Sequence, residues 1–202
     1  MHNPVVDDDL AERARAPLDD PWFRTDAPPV VMSIGRLSPE KDFATLLWAF
    51  ARLRSTGPHH LLILGEGRER RRLEALAEEL GIAADVRMPG FVADPYPYLA
   101  RASVYVLSSE REGLPSALIQ AMACSCPVVS TDCPSGPAEV LLAGELGELV
   151  PIGDAETMAA AIGRAIRDPK DVDLAKQRSM MFSTARSLHS YTALMDSMPV
   201  RR

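Results

Sequence analysis

Two cations and a glycine lie directly after an apolar run near the start of the chain. Residues 29–35 read PVVMSIG and end at Gly35, and the next segment, GRLSPEK, carries Arg36 and Lys41. Gly35 allows a tight turn before the helix that we expect next. Exposed N–H groups and the dipole at a helix start favour negative charge, so Arg36 and Lys41 there predict an anion site. Solvent-exposed charge at a helix start is the alternative.

A second candidate site follows the apolar run SVYVLSS, in the sequence EREGLPSALIQ at residues 110–120. Gly113 permits a ligand to approach the backbone closely. Pro115 suits the first turn of a helix. The N–H groups of Gly113, Leu114 and Ser116 are therefore predicted to point at an anion, or at another part of the first one.

Glu112 and Gln120 add acceptors to this second segment. A carboxylate repels phosphate, so Glu112 fits here only if it accepts hydrogen bonds from hydroxyl groups attached to that phosphate. Gln120 shares the face of Glu112 if the helix begins early, and it is expected to bind another polyol. A sugar and a ribose at the two ends of a diphosphate fit this arrangement.

The segment GEGRER after the second apolar strand resembles half of a dinucleotide fingerprint. No third glycine follows at the required place, and the chain has no P-loop, so a nicotinamide or flavin dehydrogenase is disfavoured. Gly65 and Gly67 are expected to form a tight turn that leaves room for a ligand. The run of arginines that follows, at positions 68, 70, 71 and 72, is interpreted as a solvated helix face.

The elements that would position these residues alternate regularly. Apolar strands are predicted at PVVMSIG, HLLILGEG, DVRMPG, SVYVLSS, PVVST and GELVPI, with helices between them. This pattern predicts an α/β fold with a doubly wound, Rossmann-like parallel sheet of about six strands. Ligands bind such sheets beyond the carboxyl ends of the strands, where both candidate segments lie.

We divide the chain into three parts. Residues 1–27 are interpreted as a polar, Pro-rich linker or partly helical lead-in, and residues 28–170 as the Rossmann-like domain. Residues 171–202 are predicted to form a C-terminal helix, roughly 171–198, and a tail. Ser38 and Pro39 are expected to open the helix after the first strand.

Bulk composition narrows the function classes. The net charge of −6 argues against nucleic acid or an anionic membrane as the main partner. Three cysteines without a neighbouring histidine predict buried free thiols rather than disulfides or a zinc site, and no metal is expected. No segment has the apolar length of a signal peptide or membrane span, so we expect a cytoplasmic protein, with peripheral membrane association left open.

These motifs together resemble the C-terminal half of glycosyltransferase family 4, whose members are retaining enzymes of two Rossmann-like domains (the GT-B fold). The segments that carry the resemblance span roughly residues 28–168: GRLSPEK, LILGEGRERRRLEALAEELGI, VRMPGFV, SSEREGLPSALIQAMACSCPVVSTDCPSGPAEVL and GELVPIGD. The resemblance implies that this half binds a nucleotide-sugar donor, while another domain binds the acceptor.

The resemblance also implies a role for each candidate residue. Arg36 and Lys41 match the pair that holds the donor diphosphate. Glu112 matches the first glutamate of the family's E-x7-E motif, which contacts the donor sugar. The backbone of Gly113 and Leu114 matches the loop around the phosphate. The backbone around Arg87 and Met88 matches the segment that receives the base, and Gln120 stands where a ribose-binding glutamate is usual.

Three departures from the family pattern affect these expectations. Gln120 keeps an acceptor oxygen but lacks the charge of glutamate, which would weaken a ribose contact. Ser125 replaces a usual glycine and would be strained by about 1 kcal/mol if its φ is positive. The chain is also shorter than the family's members, so the acceptor-binding domain is expected to be missing or separate.

The predicted function is therefore the donor-binding half of a retaining glycosyltransferase. The resemblance favours a UDP-sugar, with a GDP-sugar as the second choice, and a glycan or lipid-linked acceptor. Arg36, Lys41 and Glu112 are the catalytic candidates. The alternatives are an NDP-sugar epimerase or glucan phosphorylase-like enzyme of similar architecture, and a non-catalytic module that binds nucleotide sugar.

Overall fold

The computed structural model of the chain describes residues 3–188 and 192. Its centre is a six-stranded parallel sheet in the order β3-β2-β1-β4-β5-β6. The strands are β1 Val30–Ile34, β2 His60–Leu64, β3 Val86–Gly90, β4 Val104–Leu107, β5 Val128–Thr131 and β6 Glu148–Val150. The predicted doubly wound α/β fold is therefore confirmed.

Helices cover both faces of the sheet. They are α1 Leu10–Ala14, α2 Phe43–Arg54, α3 Arg70–Glu79, α4 Tyr96–Leu99, α5 Ser116–Ala123, α6 Pro137–Val140, α7 Ala155–Arg167 and α8 Val172–Ser179. Short 3₁₀ turns occupy Pro21–Phe23, Pro39–Lys41, Ala83–Asp85 and Met180–Phe182.

Alternate side chains of the central strands enter two separate cores. Val31 of β1 and Val104 of β4 pack with α2, α3 and α7 on one face, whereas Met32 and Tyr105 pack with α4, α5 and α8 on the other. Because both faces are apolar, the strands are continuous apolar runs in the sequence, as expected of a parallel sheet covered on both sides.

The amino-terminal segment, as described from residue 3, packs onto this body. Val5, Val6 and Leu10 are buried in the same core as α5 and α8. The N–H groups of Val5 and Val6 donate to the carbonyl oxygen of Phe182, at 2.8 and 3.1 Å. The amino-terminal segment is thus tied by its backbone to the segment that follows α8.

The predicted single helix over residues 171–198 is wrong in the part that the structure describes. Helix α8 ends at Ser179, a 3₁₀ turn follows at Met180–Phe182, and Ser183 is extended and forms a parallel bridge with Val6. Phe182 is fully buried, and the turn is what directs its ring inward. A new helix begins at residue 184; apart from residue 192, the predicted helix beyond residue 188 lies outside the described residues.

The predicted start of α2 at Ser38 and Pro39 is also wrong. These residues open the 3₁₀ turn, and the Ser38 side chain makes no capping hydrogen bond. Asp42 caps α2 instead: it is left-handed, at φ 43°, and its carboxylate accepts a hydrogen bond from the N–H of Thr45 at 3.2 Å. Lys41 therefore lies in the turn before α2 and not in its first turn.

Ser125 ends α5 in the left-handed conformation, with φ 58°. The N–H of Ser125 donates to Met122 O and the N–H of Cys126 donates to Ala121 O, both at 3.0 Å. This pair of bonds is a Schellman motif, in which glycine is the usual residue at the left-handed position. The condition for strain at Ser125, a positive φ, is therefore met.

Ser125→Gly is therefore expected to raise the free energy of unfolding by about 0.5–1 kcal/mol, because glycine lacks the Cβ that is crowded in this conformation. Ser55→Gly is the matched control, since Ser55 ends α2 in the right-handed region at φ −67° and its hydroxyl donates to Arg52 O. Urea unfolding of both variants measures the difference. Destabilisation of both variants alike would contradict the assignment of strain to Ser125.

The cysteines are free thiols, as predicted: Cys126 and Cys133 are buried and Cys124 is partly buried. Burial raises the pKa of Cys124 to about 12, so this thiol stays protonated at neutral pH. Within residues 3–188 and 192, no helix has the length and apolar character needed to span a membrane.

Candidate functional site

The order of the strands places a crevice at the centre of the sheet. β1 and β4 are neighbours, yet β2 and β3 extend from β1 in one direction while β5 and β6 extend from β4 in the other. The chain after β1 turns to α2 on one face, and the chain after β4 turns to α5 on the opposite face. Diverging loops at such a switch point leave a crevice at the carboxyl ends of the strands, where ligands bind this class of fold.

Lys41 and Glu112 meet across this crevice. The Nζ of Lys41 donates to Oε1 of Glu112 at 2.6 Å, and Ser109 Oγ donates to the same oxygen at 2.7 Å. The side chain of Glu112 is only 8% exposed, and that of Lys41 is 24% exposed. The loop after β1 thus supplies the cation, and the loop after β4 supplies the carboxylate.

Two hydrogen bonds to backbone carbonyl oxygens hold these two loops together. Ser108 Oγ donates to the carbonyl oxygen of Lys41 at 2.7 Å, and the N–H of Glu110 donates to the carbonyl oxygen of Glu40 at 3.0 Å. Both bonds on Glu112 fall on Oε1, and Oε2 accepts none from the residues that the structure describes. Glu112 therefore keeps acceptor capacity for hydroxyl groups while its charge is balanced by Lys41.

The turn between Glu112 and α5 presents backbone donors. Among the described residues, the N–H groups of Gly113 and Leu114 have no partner, and a Cβ added at Gly113 would meet nothing within 4 Å. Ser116 does not share this property: its N–H donates to Leu114 O at 2.8 Å, so its predicted anion contact is not available in this conformation. Pro115 is buried and fixes the turn.

Gly136 packs closely against this turn and has a φ of 104°. A Cβ at Gly136 would lie 2.7 Å from both the carbonyl oxygen of Gly113 and Cδ of Pro115. Gly113 and Gly136 also line a cavity of about 350 Å³. Only glycine at position 136 therefore lets the turn lie where Gly113 and Leu114 face open space.

Gln120 lies on α5, close to Tyr96 of α4. Its Nε2 donates to the Tyr96 hydroxyl at 3.2 Å, and the guanidinium of Arg13 lies 4.4 Å from the centre of the Tyr96 ring. Arg13 in turn donates to Asp94 at 3.2 Å. Burial raises the pKa of Tyr96, which keeps its hydroxyl neutral. Gln120 is thus oriented by a polar chain that the sequence did not reveal.

Arg36 is placed apart from the Lys41–Glu112 pair. It is exposed, and it lines a second cavity of about 350 Å³ together with Leu37, Ser38, Glu40 and Arg68. Lys41 does not line this cavity. The two cations predicted to act together therefore lie on the same loop but face different surroundings.

Gly65 and Gly67 serve backbone packing rather than ligand access. A Cβ on Gly65 would lie 1.9 Å from Gly35 O, and one on Gly67 would lie 2.2 Å from Leu37 O. The loops after β1 and β2 therefore touch through their main chains. The space at Gly35 is less restricted, because a Cβ there would lie 3.4 Å from the Phe43 ring.

The groups around Arg87 and Met88 are occupied within the protein. Arg87 stacks over the Trp22 ring at 3.9 Å and donates to Asp20, and Met88 O accepts a bond from Arg70 Nη1 at 2.8 Å. These contacts cannot be recognised from sequence spacing, because Trp22 and Asp20 lie far from Arg87 in the chain.

The open end of β3 lies two residues beyond Met88. The strand ends at Gly90, and the next residue, Phe91, is 80% exposed. Phe91 was not among the predicted site residues, although its position directly after a strand could have indicated it. Phe91 is therefore an exposed large apolar side chain at the carboxyl end of β3.

The arginine run is only in part a solvated face. Arg70 turns inward and donates to Glu66, Glu74 and the carbonyl oxygens of Gly65 and Met88. Within residues 3–188 and 192, no group of three His, Cys, Asp or Glu residues is placed to hold a metal ion.

These features define a doubly wound α/β fold with polar residues at its switch point. Residues 16–187 match the family model for "Glycosyl transferases group 1", and the chain belongs to this family. The lipopolysaccharide core biosynthesis glycosyltransferase LpsE of Rhizobium meliloti is 44% identical over 154 residues, which are 76% of this chain. The match covers 43% of LpsE, so the chain spans less than half the length of this relative.

Solved structures agree with this assignment. The apo form of the lipopolysaccharide outer core galactosyltransferase WaaB matches with a TM-score of 0.74 and 27% identity, over 87% of this chain and 51% of that one. Anabaena Alr3699/HepE, solved in complex with UDP and glucose, matches with a TM-score of 0.78 and 23% identity, over 85% of this chain and 49% of HepE. The shared architecture is that of GT-B glycosyltransferases.

Proposed function

We propose that the chain is the C-terminal, donor-binding half of a retaining glycosyltransferase of family 4, and that its donor is a UDP-sugar. The observation that carries this proposal is the Lys41–Glu112 pair at the switch point, beside the unpartnered N–H groups of Gly113 and Leu114. A cation, two amides and a carboxylate in one crevice suit a ligand that is anionic at one point and rich in hydroxyl groups at the next.

Each residue has a defined part in this proposal. Lys41, Arg36 and the amides of Gly113 and Leu114 bind the diphosphate and stabilise its charge as the glycosidic bond breaks. Oε2 of Glu112 accepts hydrogen bonds from the sugar. The ribose lies toward Gln120, whose Oε1 remains available while its Nε2 is bound to Tyr96.

The base is placed at the carboxyl end of β3. Phe91 is exposed there, whereas Met88 O is already bound to Arg70. The neighbour HepE was solved with UDP, which supports uridine as the base to test first. The acceptor is proposed to bind a separate domain, because the chain spans 43% of LpsE and about half of the matched structures. This chain by itself would then bind donor without completing transfer.

Millimolar UDP is expected to raise the melting temperature of the 202-residue chain by about 5–10 °C. Binding to the folded state alone contributes about 2.7 kcal/mol at a hundredfold excess over Kd, and 1 kcal/mol corresponds to about 2–4 °C at this size. Differential scanning fluorimetry with UDP, GDP and uridine tests this. Uridine lacks the diphosphate and should shift the melting temperature much less; no shift with either nucleotide would refute the proposal.

A further inference from the structure

A cavity outside the Lys41–Glu112 pair contains two arginines from different loops. Arg36 follows β1 and Arg68 follows β2, and both line the cavity of about 350 Å³ with Leu37, Ser38 and Glu40. A water molecule occupies roughly 30 Å³ of liquid, so this space admits a group much larger than water. The strands are neighbours in the sheet, which brings both side chains to one edge.

The two loops that carry these arginines are locked together. Leu37 donates its N–H to Glu66 O at 2.9 Å, and Glu69 donates its N–H to Leu37 O at 3.1 Å. Gly65 and Gly67 permit this contact, since a Cβ on either would overlap the carbonyl oxygen of the facing loop. The backbone at the base of the cavity is therefore preformed, and binding would need to order only side chains.

Neither guanidinium group has a partner in the described part of the chain. The neighbouring Arg70 and Arg72 are both in ion pairs, with Glu66 and Glu69 among their partners. The guanidinium groups of Arg36 and Arg68 form no hydrogen bond or ion pair with residues 3–188 or 192. The carbonyl oxygen of Arg36 accepts a hydrogen bond from Ser38 Oγ at 3.3 Å. Two unpaired guanidinium groups on one cavity are suited to an anion with several oxygens.

Glu40 is the opposing charge in this cavity. The neighbouring Ser38 hydroxyl lowers the pKa of the Glu40 carboxyl, and the positive charges of Arg68 and Lys41 lower it further. Its carboxylate is therefore ionised at neutral pH, but it lies beyond ion-pair distance of Arg68. The negative charge of Glu40 should weaken anion binding by Arg68, but Glu40 does not itself form an ion pair with Arg68.

We propose that Arg36 and Arg68 bind one phosphate group between them, and that Arg68 is a binding residue in addition to the Lys41 site. The identity of that phosphate rests on the proposed function, in which Arg36 binds the donor diphosphate; we therefore assign it to the donor, and a phosphorylated acceptor is the other outcome that the test distinguishes. Both sources present the same tetrahedral oxygens, which two guanidinium groups can bind at once.

Pyrophosphate titrated into the 202-residue chain at low salt is the direct test. Arg68→Ala should weaken binding about tenfold, the effect of losing one charged hydrogen bond. Arg71→Ala is the matched control, because Arg71 is exposed, equally charged and unpaired in the described residues; it should change binding by less than twofold. Glu40→Gln should tighten binding severalfold, because it removes the opposing carboxylate.

Nucleotides distinguish the two sources. If the phosphate belongs to the donor, Arg68→Ala weakens UDP but not UMP, which lacks the second phosphate. If it belongs to the acceptor, Arg68→Ala leaves UDP affinity unchanged and weakens pyrophosphate binding at saturating UDP about tenfold. Equal effects of Arg68→Ala and Arg71→Ala on every ligand, or no pyrophosphate binding by the wild-type chain, would overturn the proposal. The pyrophosphate titration uses no nucleotide. Its result therefore tests Arg68 even if the chain does not bind UDP.

Discussion

Replacing Lys41 with alanine is expected to weaken UDP binding at least tenfold and to lower the free energy of unfolding by about 1.5–3 kcal/mol. Lys41 Nζ is the cation bound to Glu112, whose side chain is 8% exposed. An ammonium has three donors, so the same group can hold Glu112 and a phosphate oxygen together. Its removal leaves an almost buried carboxylate without a cation, which is costly.

Arg36→Ala is the contrasting variant. Arg36 is exposed and its guanidinium has no partner in the described residues, so loss of the side chain should weaken UDP binding without changing stability. The double variant Lys41→Ala/Glu112→Gln should regain most of the lost stability, because a neutral amide no longer needs the cation. Urea unfolding and calorimetric titration with UDP measure both quantities. A Lys41→Ala chain of unchanged stability would show that the Lys41–Glu112 contact contributes nothing to the fold.

The sheet was predictable because its evidence is local. Strands covered on both faces are continuous apolar runs, so β1, β2, β4 and β5 can be recognised one at a time. Their carboxyl ends then identify the loops that carry Arg36, Lys41 and Glu112. The left-handed backbone at Ser125 was also predictable, because glycine is usual at that place in the family.

Other features depend on contacts between distant residues. Ser38 and Pro39 resemble a helix start, but Asp42 adopts a left-handed conformation and caps α2. The helical pattern after residue 171 does not show that Phe182 must turn inward. Sequence spacing is insufficient here because tertiary packing decides where the element breaks.

The polar network of the site was missed for the same reason. The contact between Gln120 and Tyr96 joins residues from two helices, and Arg13 reaches them from the amino-terminal segment. Likewise, the Lys41–Glu112 bond links residues 71 positions apart. Family resemblance implied ligand roles for both residues, but only the fold shows that they neutralise each other.

Glu112→Ala is expected to separate recognition of the sugar from recognition of the nucleotide. Glu112 Oε2 accepts no hydrogen bond from the described residues and is the proposed acceptor for sugar hydroxyls. Its loss should weaken UDP-sugar binding about ten- to a hundredfold, the range of charged hydrogen bonds. The affinity for UDP should stay constant or rise, because Lys41 is released from Glu112 and its charge becomes available to the diphosphate.

Calorimetric titration with UDP and with UDP-glucose, UDP-galactose and UDP-N-acetylglucosamine gives the ratio of affinities that isolates the sugar's contribution. Glu110→Ala is the matched control, because it removes the same charge as Glu112→Ala. Glu110 is exposed and makes no side-chain hydrogen bond or ion pair in the described residues. Its ratio should equal that of the wild-type chain, which excludes a general effect of charge. If Glu112→Ala weakens UDP and the sugar nucleotide that binds best by the same factor, Glu112 does not contact the sugar. A selective loss, with UDP binding retained, would instead place the sugar against Oε2, because the sugar is the part of the ligand that UDP lacks.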